Sequence, residues 1–386
     1  MSTPVSALPP RRVVHIIRMR TAGGGVLAPL RIAAAERSGG RAVHVDALIA
    51  EDFTSVVAMA QRSGVDVHRV GILRLAWRLA LIRVVHRPDV VHLHSGMDML
   101  SANVRAIRRA LPPAVPLIVW LHGSGELANA DEAQRQEHAR TAREISAVVV
   151  PSSSQLDAQV AAGLDPGSVY VVPAIVPPPA IARGASRARL GISARAHVVF
   201  FCGRMIPSKN PLLTVDAFRA CTDRDAVLVM AGGGPLLDEV RTAASDLGDR
   251  VRVLGHVDDV EGLYADADLF VSPSTTESFG LTAIEALRSG VACALSRIRP
   301  WSDHFVDGRD VDFFAADATA GEIAAVLDRL LLDEHLRRSR AATGGTRVER
   351  QFGASAALAA LDLVYADVLR GRRRQRGKGT VAPRVE

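Results

Sequence analysis

Glu277 and Glu285 stand eight positions apart in the segment ESFGLTAIE, with Gly280 between them. In one continuous helix their side chains would diverge by about 80°. The spacing therefore predicts a loop that carries Glu277, followed by a helix that begins near Gly280 and carries Glu285. The free backbone N–H groups of Phe279, Gly280 and Leu281 would then form an anion site between two carboxylates. A ligand with both phosphate and hydroxyl groups fits this combination, and a nucleotide sugar is such a ligand.

Short apolar runs rich in β-branched residues alternate with longer helix-like stretches along the chain. This alternation predicts parallel sheets covered by helices on both faces. The runs form two sets of five, namely 13–17, 42–48, 88–94, 116–122 and 146–152, then 197–204, 226–234, 250–257, 267–274 and 291–296. A proline-rich segment, 169–192, separates the sets and is typical of an interdomain linker. We therefore expect an α/β fold of two doubly wound domains, with ligands at the carboxyl ends of the strands.

The bulk composition narrows the function further. A chain of 386 residues is too long for one typical core and suggests two domains. Hydrophobic residues make up 48% and charged residues 23%, which is typical of soluble globular proteins. Aromatic residues make up only 4%, which argues against stacking platforms for nucleic acid. The three scattered cysteines match no metal-site spacing and suit a reducing cytoplasm.

The net charge of +6 belongs to the C-terminal segment. Residues 370–386 carry seven of the 47 basic and one of the 41 acidic residues, which leaves 40 of each in the body of the chain. Such a run is typical of a solvated, disordered end. Attraction of residues 370–378 to an anionic membrane surface is the sharper reading, whereas nothing in the body supports a nucleic-acid partner. The sequence contains no run of 18 uncharged apolar residues, so it predicts no membrane span. We therefore expect a cytoplasmic protein and leave open its peripheral attachment to the inner membrane face.

Three motifs of the second half are specific when taken together and in order. They are GRMIPSKN (203–210), AGGGPL (231–236) and VRVLGHVDDVEGLYADADLFVSPSTTESFGLTAIEALRSG (251–290). On these motifs the chain resembles the retaining glycosyltransferases of family 4, whose GT-B fold has two Rossmann-like domains facing a central cleft. The resemblance implies five segments: a disordered N-terminus (1–10), an acceptor domain (11–178), a nucleotide-sugar-binding domain (179–350), a C-terminal helix that crosses back to the first domain (351–369) and the basic tail (370–386).

The resemblance also implies roles for charged residues of the second domain. Glu285 would bind the ribose hydroxyls of the donor, and Glu277 would hold the donor sugar. Arg204 and Lys209 would clamp the diphosphate, because two fixed cations offset the charge that develops on the leaving group. With this clamp, neither a metal ion nor another cofactor is expected. As the alternative, the two glutamates are ordinary acids favoured by a helix dipole, and the two cations form a loop salt bridge. Asn210 stands at a position where glycine is common in the family.

Glycines and one histidine complete the expected site. Gly203 and Gly233 lie in turns that follow two strands, where a backbone without side chains can approach a ligand closely; turn chemistry alone is the alternative. Gly24 and Gly25 belong to a cluster after the first strand, which the resemblance places near the donor phosphates and the acceptor. His122 ends the strand PLIVWLH, and the resemblance places it against the donor sugar near the anomeric centre. A structural histidine at a strand end is the alternative there.

Two other patterns suggest different ligands. His92 and His94 lie two apart on one strand and share a face, but a metal site would need a third ligand that the sequence does not make evident. The segment GGGVLA (23–28), with Asp46 further on, fits a dinucleotide-binding fingerprint. Five residues, 18–22, separate those glycines from the strand-like run VVHII, whereas the true motif turns directly off its strand.

The expected reaction is transfer of a sugar from a UDP- or GDP-sugar to an acceptor hydroxyl, with retention of the anomeric configuration. Polysaccharide or glycolipid synthesis is the expected setting. One alternative is a nucleotide-sugar epimerase on the same fold, which would need acid–base carboxylates and histidines concentrated in the cleft. Another is a non-catalytic scaffold that binds nucleotide or membrane, although the intact set of charged site residues argues against it.

Overall fold

The computed structural model describes residues 10–19, 24–49, 53–70, 82–95, 100–122, 131–179, 184–257 and 260–377. The chain forms two compact units, one of Met1–Ile175 with Ala354–Glu386 and the other of Val176–Gly353. The boundaries between the units fall at 175/176 and 353/354, whereas the sequence predicted domain limits at 178/179 and 350/351. The expectations for the N-terminus and for the end of the tail fall on 1–9 and 378–386, which lie outside the described residues.

The first unit contains a parallel sheet whose described strands have the order β3-β2-β1-β4-β5-β6-β7. Their bounds are Arg12–Met19 (β1), Ala42–Ile49 (β2), His68–Arg69 (β3), Val90–Ser95 (β4), Leu117–Leu121 (β5), Ala147–Val150 (β6) and Val169–Val171 (β7). Strands β4, β5 and β6 are buried along their whole length, as expected for a sheet covered on both faces. The strand order reverses between β1 and β4, where doubly wound sheets place their ligands.

Helices pack on both faces of this sheet. Neighbouring residues of β1 point to opposite sides, with Ile16 in one apolar cluster and Ile17 in another. The helices of the first part of the unit are Gly24–Ser38 (α1), Phe53–Arg62 (α2), Leu100–Ala110 (α3), Glu132–Ala142 (α4) and Ser153–Ala161 (α5). Helix α4 begins with a capping box between Asp131 and Gln134, which satisfies two backbone donors of its first turn.

The second unit contains another parallel sheet, with described strands in the order β10-β9-β8-β11-β12-β13. Their bounds are Val198–Cys202 (β8), Val227–Ala231 (β9), Val251–Gly255 (β10), Leu269–Ser272 (β11), Ala292–Ser296 (β12) and Asp312–Phe314 (β13). The helices are Ala185–Arg189 (α6), Pro211–Ala220 (α7), Leu237–Ala243 (α8), Glu261–Asp266 (α9), Leu281–Arg288 (α10), Trp301–His304 (α11), Ala320–Leu332 (α12) and Glu334–Phe352 (α13). Here the order reverses between β8 and β11, the two strands that precede the expected diphosphate clamp and Glu277.

All ten expected strands are present, and the α/β expectation is confirmed. Strands β3, β7 and β13 are additional, and each has only two or three residues. Strand β7 lies inside the segment expected to be a linker, and it pairs with β6 through Val169–Val171. The prolines that suggested a linker begin only after this strand, so the β-branched residues before them can complete the first sheet.

The last helix, Ala354–Gly377 (α14), belongs to the first unit. Its residues Leu361, Val364 and Tyr365 share an apolar cluster with Ile32 and Trp120. Among the described residues, the helical stretch 334–370 is apolar and long enough to cross a membrane by length and composition alone, but this face of α14 packs in a domain core. The helix also continues through 370–377, where a disordered tail was expected, because arginine is a strong helix former.

Candidate active site

Two loops, at the carboxyl ends of β8 and β11, bring Lys209 of the expected diphosphate clamp against Glu277. Arg204 follows β8 and is exposed, with no ion pair in the described part of the chain. Lys209 lies in a 3₁₀ turn, Pro207–Lys209, and its Nζ is 2.5 Å from Oε1 of Glu277. The side chains of this pair are 18% and 11% exposed, so the pair lies at the edge of the protein rather than in bulk solvent. A lysine ammonium has three donors, and one bond to Glu277 leaves two for a ligand.

The choice of lysine at position 209 is itself informative. The chain has 47 basic residues, and only Lys209 and Lys378 among them are lysines. Lysine offers a compact, strongly hydrated charge, whereas arginine offers a wide planar fork. An otherwise arginine-based chain therefore uses the compact cation at one of the two positions expected to meet a diphosphate, a signal that a residue count could have found.

Asn210 has a backbone conformation that explains the departure from glycine. Its φ and ψ are 47° and 51°, in the left-handed region, which asparagine tolerates better than most residues with a side chain. Its Nδ2 donates to the carbonyl oxygen of Pro273, at 3.0 Å. This bond joins the loop that carries Lys209 to the loop that follows β11. Asparagine in place of glycine at position 210 is therefore compatible with the expected diphosphate clamp.

The glycines after β9 fit against the loop after β8. A Cβ atom at Gly232 would lie 1.8 Å from the carbonyl oxygen of Gly203, and one at Gly234 would lie 2.5 Å from that of Met205. A Cβ at Gly233 would meet only His256, at 3.8 Å. The flanking glycines are therefore the ones that this close approach requires. Gly233, the expected ligand-binding residue, lies between them and its carbonyl accepts from the N–H of Met205 at 2.8 Å.

Gly280 begins α10, the helix expected from the spacing of the two glutamates. It is the N-cap residue, its φ is +79°, and a Cβ there would lie 1.8 Å from Nε1 of the buried Trp301. Within the described residues, the N–H groups of Phe279, Gly280 and Leu281 have no acceptor. The Phe279 side chain is only 4% exposed and packs edge-on against Phe352, so only its backbone is available. The groups expected to bind an anion at this helix start are thus backbone N–H groups.

Glu285 lies on the first turns of α10 beside the carboxyl end of β8. The hydroxyl of the buried Tyr264 donates to its Oε2 at 3.4 Å. Burial, with the Glu285 charge nearby, raises the pKa of Tyr264 well above its ordinary value. Burial also raises the pKa of Cys202 to about 12, although its hydrogen bond with Tyr264 opposes this shift. The Glu285 carboxylate thus accepts from the neutral hydroxyl of Tyr264.

In the first unit, the structure places His122 directly after β5, partly exposed. Its Nε2 lies 3.1 Å from Nδ1 of His94. Burial lowers the pKa of His122 to about 3, so the ring is neutral near pH 7. Gly24 and Gly25 form the start of α1, while the rest of their loop lies outside the described residues.

Behind His122 lies a cluster that the sequence only partly revealed. His94 contacts His15 of β1, and one nitrogen each from His15, His92 and His94 lies within 4.8 Å of the others. By distance alone these histidines could hold a metal ion, and His15 is the third residue that the sequence did not make evident. A single polar residue inside the apolar run VVHII was the available signal.

Comparison with known proteins identifies the family. The description Glycosyltransferase Family 4 matches residues 37–178, and Glycosyl transferases group 1 matches residues 182–346. The chain is 32% identical over 327 residues to the D-inositol 3-phosphate glycosyltransferase of Kineococcus radiotolerans, which covers 75% of this chain and 74% of that protein. The chain belongs to the group 1 glycosyltransferases, of the family 4 type.

This glycosyltransferase is also 30% identical over 183 residues to the N-acetyl-alpha-D-glucosaminyl L-malate synthase of Bacillus anthracis, over 47% of this chain and 48% of that protein. Among solved structures it resembles Anabaena HepE in complex with UDP and glucose, with a TM-score of 0.77 and 18% identity over 93% of this chain and 100% of that one. The sucrose-phosphate synthase of Thermosynechococcus elongatus matches with a TM-score of 0.72 and 18% identity, over 94% of this chain and 100% of that one. These structures confirm the expected GT-B fold.

The dinucleotide-binding alternative fails on the position of Asp46. The residue lies in the middle of β2, is 1% exposed and bonds His44 at 3.0 Å, whereas the fingerprint needs a carboxylate at the strand's end to meet a ribose. The gap between the first strand and the glycines is shorter than the run VVHII suggested, because β1 extends to Met19 and three residues rather than five precede Gly23. Because the chain belongs to a family of glycosyltransferases, it is an enzyme. The alternative of a non-catalytic scaffold is thereby excluded.

Proposed function

We propose that this glycosyltransferase transfers a sugar from a UDP-sugar to an acceptor hydroxyl with retention of the anomeric configuration. The observation that carries the proposal is the Lys209–Glu277 pair, 2.5 Å long, in a loop that also carries the exposed Arg204. HepE was solved in complex with UDP-glucose, which favours uracil over guanine as the first base to test.

In this proposal Lys209 and Arg204 bind the diphosphate and stabilise its charge as the sugar leaves. The backbone N–H groups at the start of α10 bind a phosphate oxygen. Glu277 holds Lys209 in place and accepts a hydroxyl of the donor sugar, since an ionised carboxylate is acceptor-only and has several lone pairs. These cations and dipoles supply the charge that a metal ion would otherwise supply, so we propose a metal-independent reaction.

Glu285 is proposed to accept both hydroxyls of the ribose. An ionised carboxylate has about four lone-pair sites, and the bond from Tyr264 reaches Oε2 at 3.4 Å. His122 is proposed to contact the transferred sugar, as expected from the sequence. With its pKa lowered to about 3 by burial, the imidazole is neutral near pH 7 and can accept a hydrogen bond from a sugar hydroxyl.

The acceptor is proposed to be a hydroxyl compound rather than water or a nucleotide. D-inositol 3-phosphate and L-malate occur in the names of relatives, so both belong in the first acceptor panel beside glycolipid and polysaccharide acceptors. The basic residues of 370–378 are proposed to attract an anionic membrane surface, and the protein is proposed to work in the cytoplasm.

The deciding experiment is calorimetric titration with UDP, GDP, ADP and NAD in the presence of EDTA. We expect UDP to bind, and Glu285→Ala to abolish binding without loss of folding. Glu334→Ala is the matched control, because Glu334 is an exposed acid whose partner is Arg338 on the same helix. Binding of GDP instead would change the donor, and binding of NAD alone would refute the proposal. The anomeric configuration of the product, read by NMR, then tests retention and separates transfer from epimerisation of the donor.

A further inference from the structure

A buried phenol contacts Glu285 inside the second unit. Tyr264 belongs to α9 and is 2% exposed. Its hydroxyl donates to Oε2 of Glu285 at 3.4 Å. The same hydroxyl has a hydrogen bond with the thiol of Cys202, the last residue of β8. The hydroxyl therefore lies between the end of a strand and the carboxylate that is proposed to bind the ribose.

Two aromatic side chains of the sheet hold the ring of Tyr264 in place. Phe200 of β8 lies edge-on to it, with ring centres 5.0 Å apart and planes at 84°. Phe270 of β11 lies at 6.0 Å with planes at 42°. Both phenylalanines are fully buried, and edge-on contact is a favoured arrangement of two rings. Because the ring is closely packed on the sheet, its hydroxyl keeps one position.

The strands that hold this ring also lead to the rest of the proposed donor site. Strand β8 precedes the loop of the diphosphate clamp, and β11 precedes the loop with Glu277. The two strands are neighbours in the sheet, and Phe200 is paired directly with Phe270. Tyr264 thus connects Glu285 to the same two strands that position the other charged groups of the site.

Glu285 is a residue for which such a connection matters. It is partly exposed on α10, and its carboxylate stands at the end of a long side chain. A ribose presents neighbouring hydroxyls, so the carboxylate must face them in one orientation to accept from both. Ordering a long side chain when a ligand binds lowers the affinity. A residue that orders the carboxylate beforehand removes part of this cost.

The groups around the hydroxyl are uncharged near pH 7. Burial raises the pKa of Tyr264 well above its ordinary value and raises the pKa of Cys202 to about 12. A phenol has one proton to donate and can also accept. Since that proton points to Glu285, the thiol of Cys202 is the donor to the phenol oxygen. Tyr264 can therefore stabilise the carboxylate as a donor without repelling it.

We infer that Tyr264 is a positioning residue for Glu285, whose carboxylate it holds in the orientation that accepts both ribose hydroxyls of the donor. This inference rests on the proposed function, because it takes the ribose as the ligand of Glu285. The 3.4 Å contact is long for a bond between two oxygens, and such bonds often shorten when the substrate binds. Binding of the ribose should therefore tighten the contact between Tyr264 and Glu285.

The variant Tyr264→Phe removes the hydroxyl and keeps the ring. Calorimetric titration compares UDP with 2′,3′-dideoxy-UDP, which lacks both ribose hydroxyls, in the wild type and in the variant. We expect Tyr264→Phe to weaken binding of UDP about two- to tenfold, while binding of the dideoxy ligand stays within about twofold. A hydroxyl that only supported the fold would weaken both ligands equally. Tyr170→Phe is the matched control, because Tyr170 also donates to a carboxylate, that of Asp367, but belongs to the first unit.

Transfer assays give a second readout of the same variant. A ribose contact binds the substrate and the transition state alike, so its loss should raise KM for the donor and leave kcat within about twofold. A fall in kcat with an unchanged KM would overturn the inference.

A further measurement decides even if Tyr264→Phe does not fold. The chain has three tyrosines, namely Tyr170, Tyr264 and Tyr365, so ¹⁹F NMR of the full chain labelled with 3-fluorotyrosine should show one signal for each. Tyr170→Phe and Tyr365→Phe provide the assignment. We expect the Tyr264 signal to move when UDP is added and to stay in place with 2′,3′-dideoxy-UDP. Equal movement with both ligands would contradict the inference.

The wild type separates a failure of the inference from a failure of the proposed function. Equal affinity of the wild type for UDP and 2′,3′-dideoxy-UDP would refute the ribose role of Glu285, and the inference would fall with it. A preference for UDP that persists unchanged in Tyr264→Phe would overturn the inference alone. If the wild type binds GDP instead of UDP, GDP and 2′,3′-dideoxy-GDP are the ligands to compare.

Discussion

Replacing Lys209 by methionine tests whether its ammonium binds the donor or only neutralises Glu277. The pair is 2.5 Å long and its side chains are at most 18% exposed, so a hydrogen bond from Lys209 to a diphosphate would form in a partly dehydrated site. A bond between charged groups contributes about 1.5–3 kcal/mol, which corresponds to about a ten- to 150-fold loss of UDP affinity in Lys209→Met. Calorimetric titration with UDP measures this loss.

The double variant Lys209→Met/Glu277→Gln separates the two explanations. In the single variant Glu277 is a carboxylate without its cation and would itself repel the diphosphate, but in the double variant that charge is gone. If Lys209 binds phosphate directly, UDP binding in the double variant should stay within about threefold of Lys209→Met, since the lost hydrogen bond is not replaced. Recovery to the wild-type Kd would show that Lys209 acts only as a counter-ion, and the reasoning from the pair would be wrong.

Three further predictions follow from single features of the structure. Gly280→Ala should lower the free energy of unfolding in urea by about 2–5 kcal/mol, from the left-handed conformation and the collision with Trp301. Gly290→Ala, at a φ of +75° with open space around it, should cost only about 1–2 kcal/mol; equal losses would contradict this account. Arg204→Ala should weaken UDP binding and reduce its salt dependence without changing Tm, because its side chain is exposed. Finally, the free energy of unfolding should fall as the pH drops from about 6.5 toward 3. Burial lowers the pKa of native His92 to about 3, whereas His92 of the unfolded chain takes up its proton at a higher pH. Denaturation at several pH values should show a smaller fall in His92→Gln.

The second unit was largely predictable from the sequence because its site is built from local segments. The spacing of Glu277 and Glu285 predicted a helix that begins near Gly280, and α10 begins at Leu281 with Gly280 as its cap. Apolar runs predicted the strands, and the carboxyl ends of neighbouring strands in a parallel sheet must meet at one edge. The loops that carry Lys209 and Glu277 therefore had to lie near one another once β8 and β11 were adjacent, and the two side chains pair at 2.5 Å.

Some assignments could not be made from the chain alone because they depend on what packs against a residue. Gly233 and its neighbours look alike in the sequence, but only Gly232 and Gly234 face the carbonyls of another loop. Asn210 looked like a departure until its left-handed backbone was known.

The sequence by itself determined the fold class, the family resemblance and most residues of the proposed donor site, since these depend on periodicity and on motifs of a few consecutive residues. Only the tertiary structure decided that His15, Glu36 and Tyr365 lie behind His122. These residues are separated by up to 329 positions along the chain, and their meeting depends on the parallel pairing of β1 with β4 and on the packing of α14 against the first unit. The contacts within such a cluster depend on all its members together, so no single residue type could have indicated it.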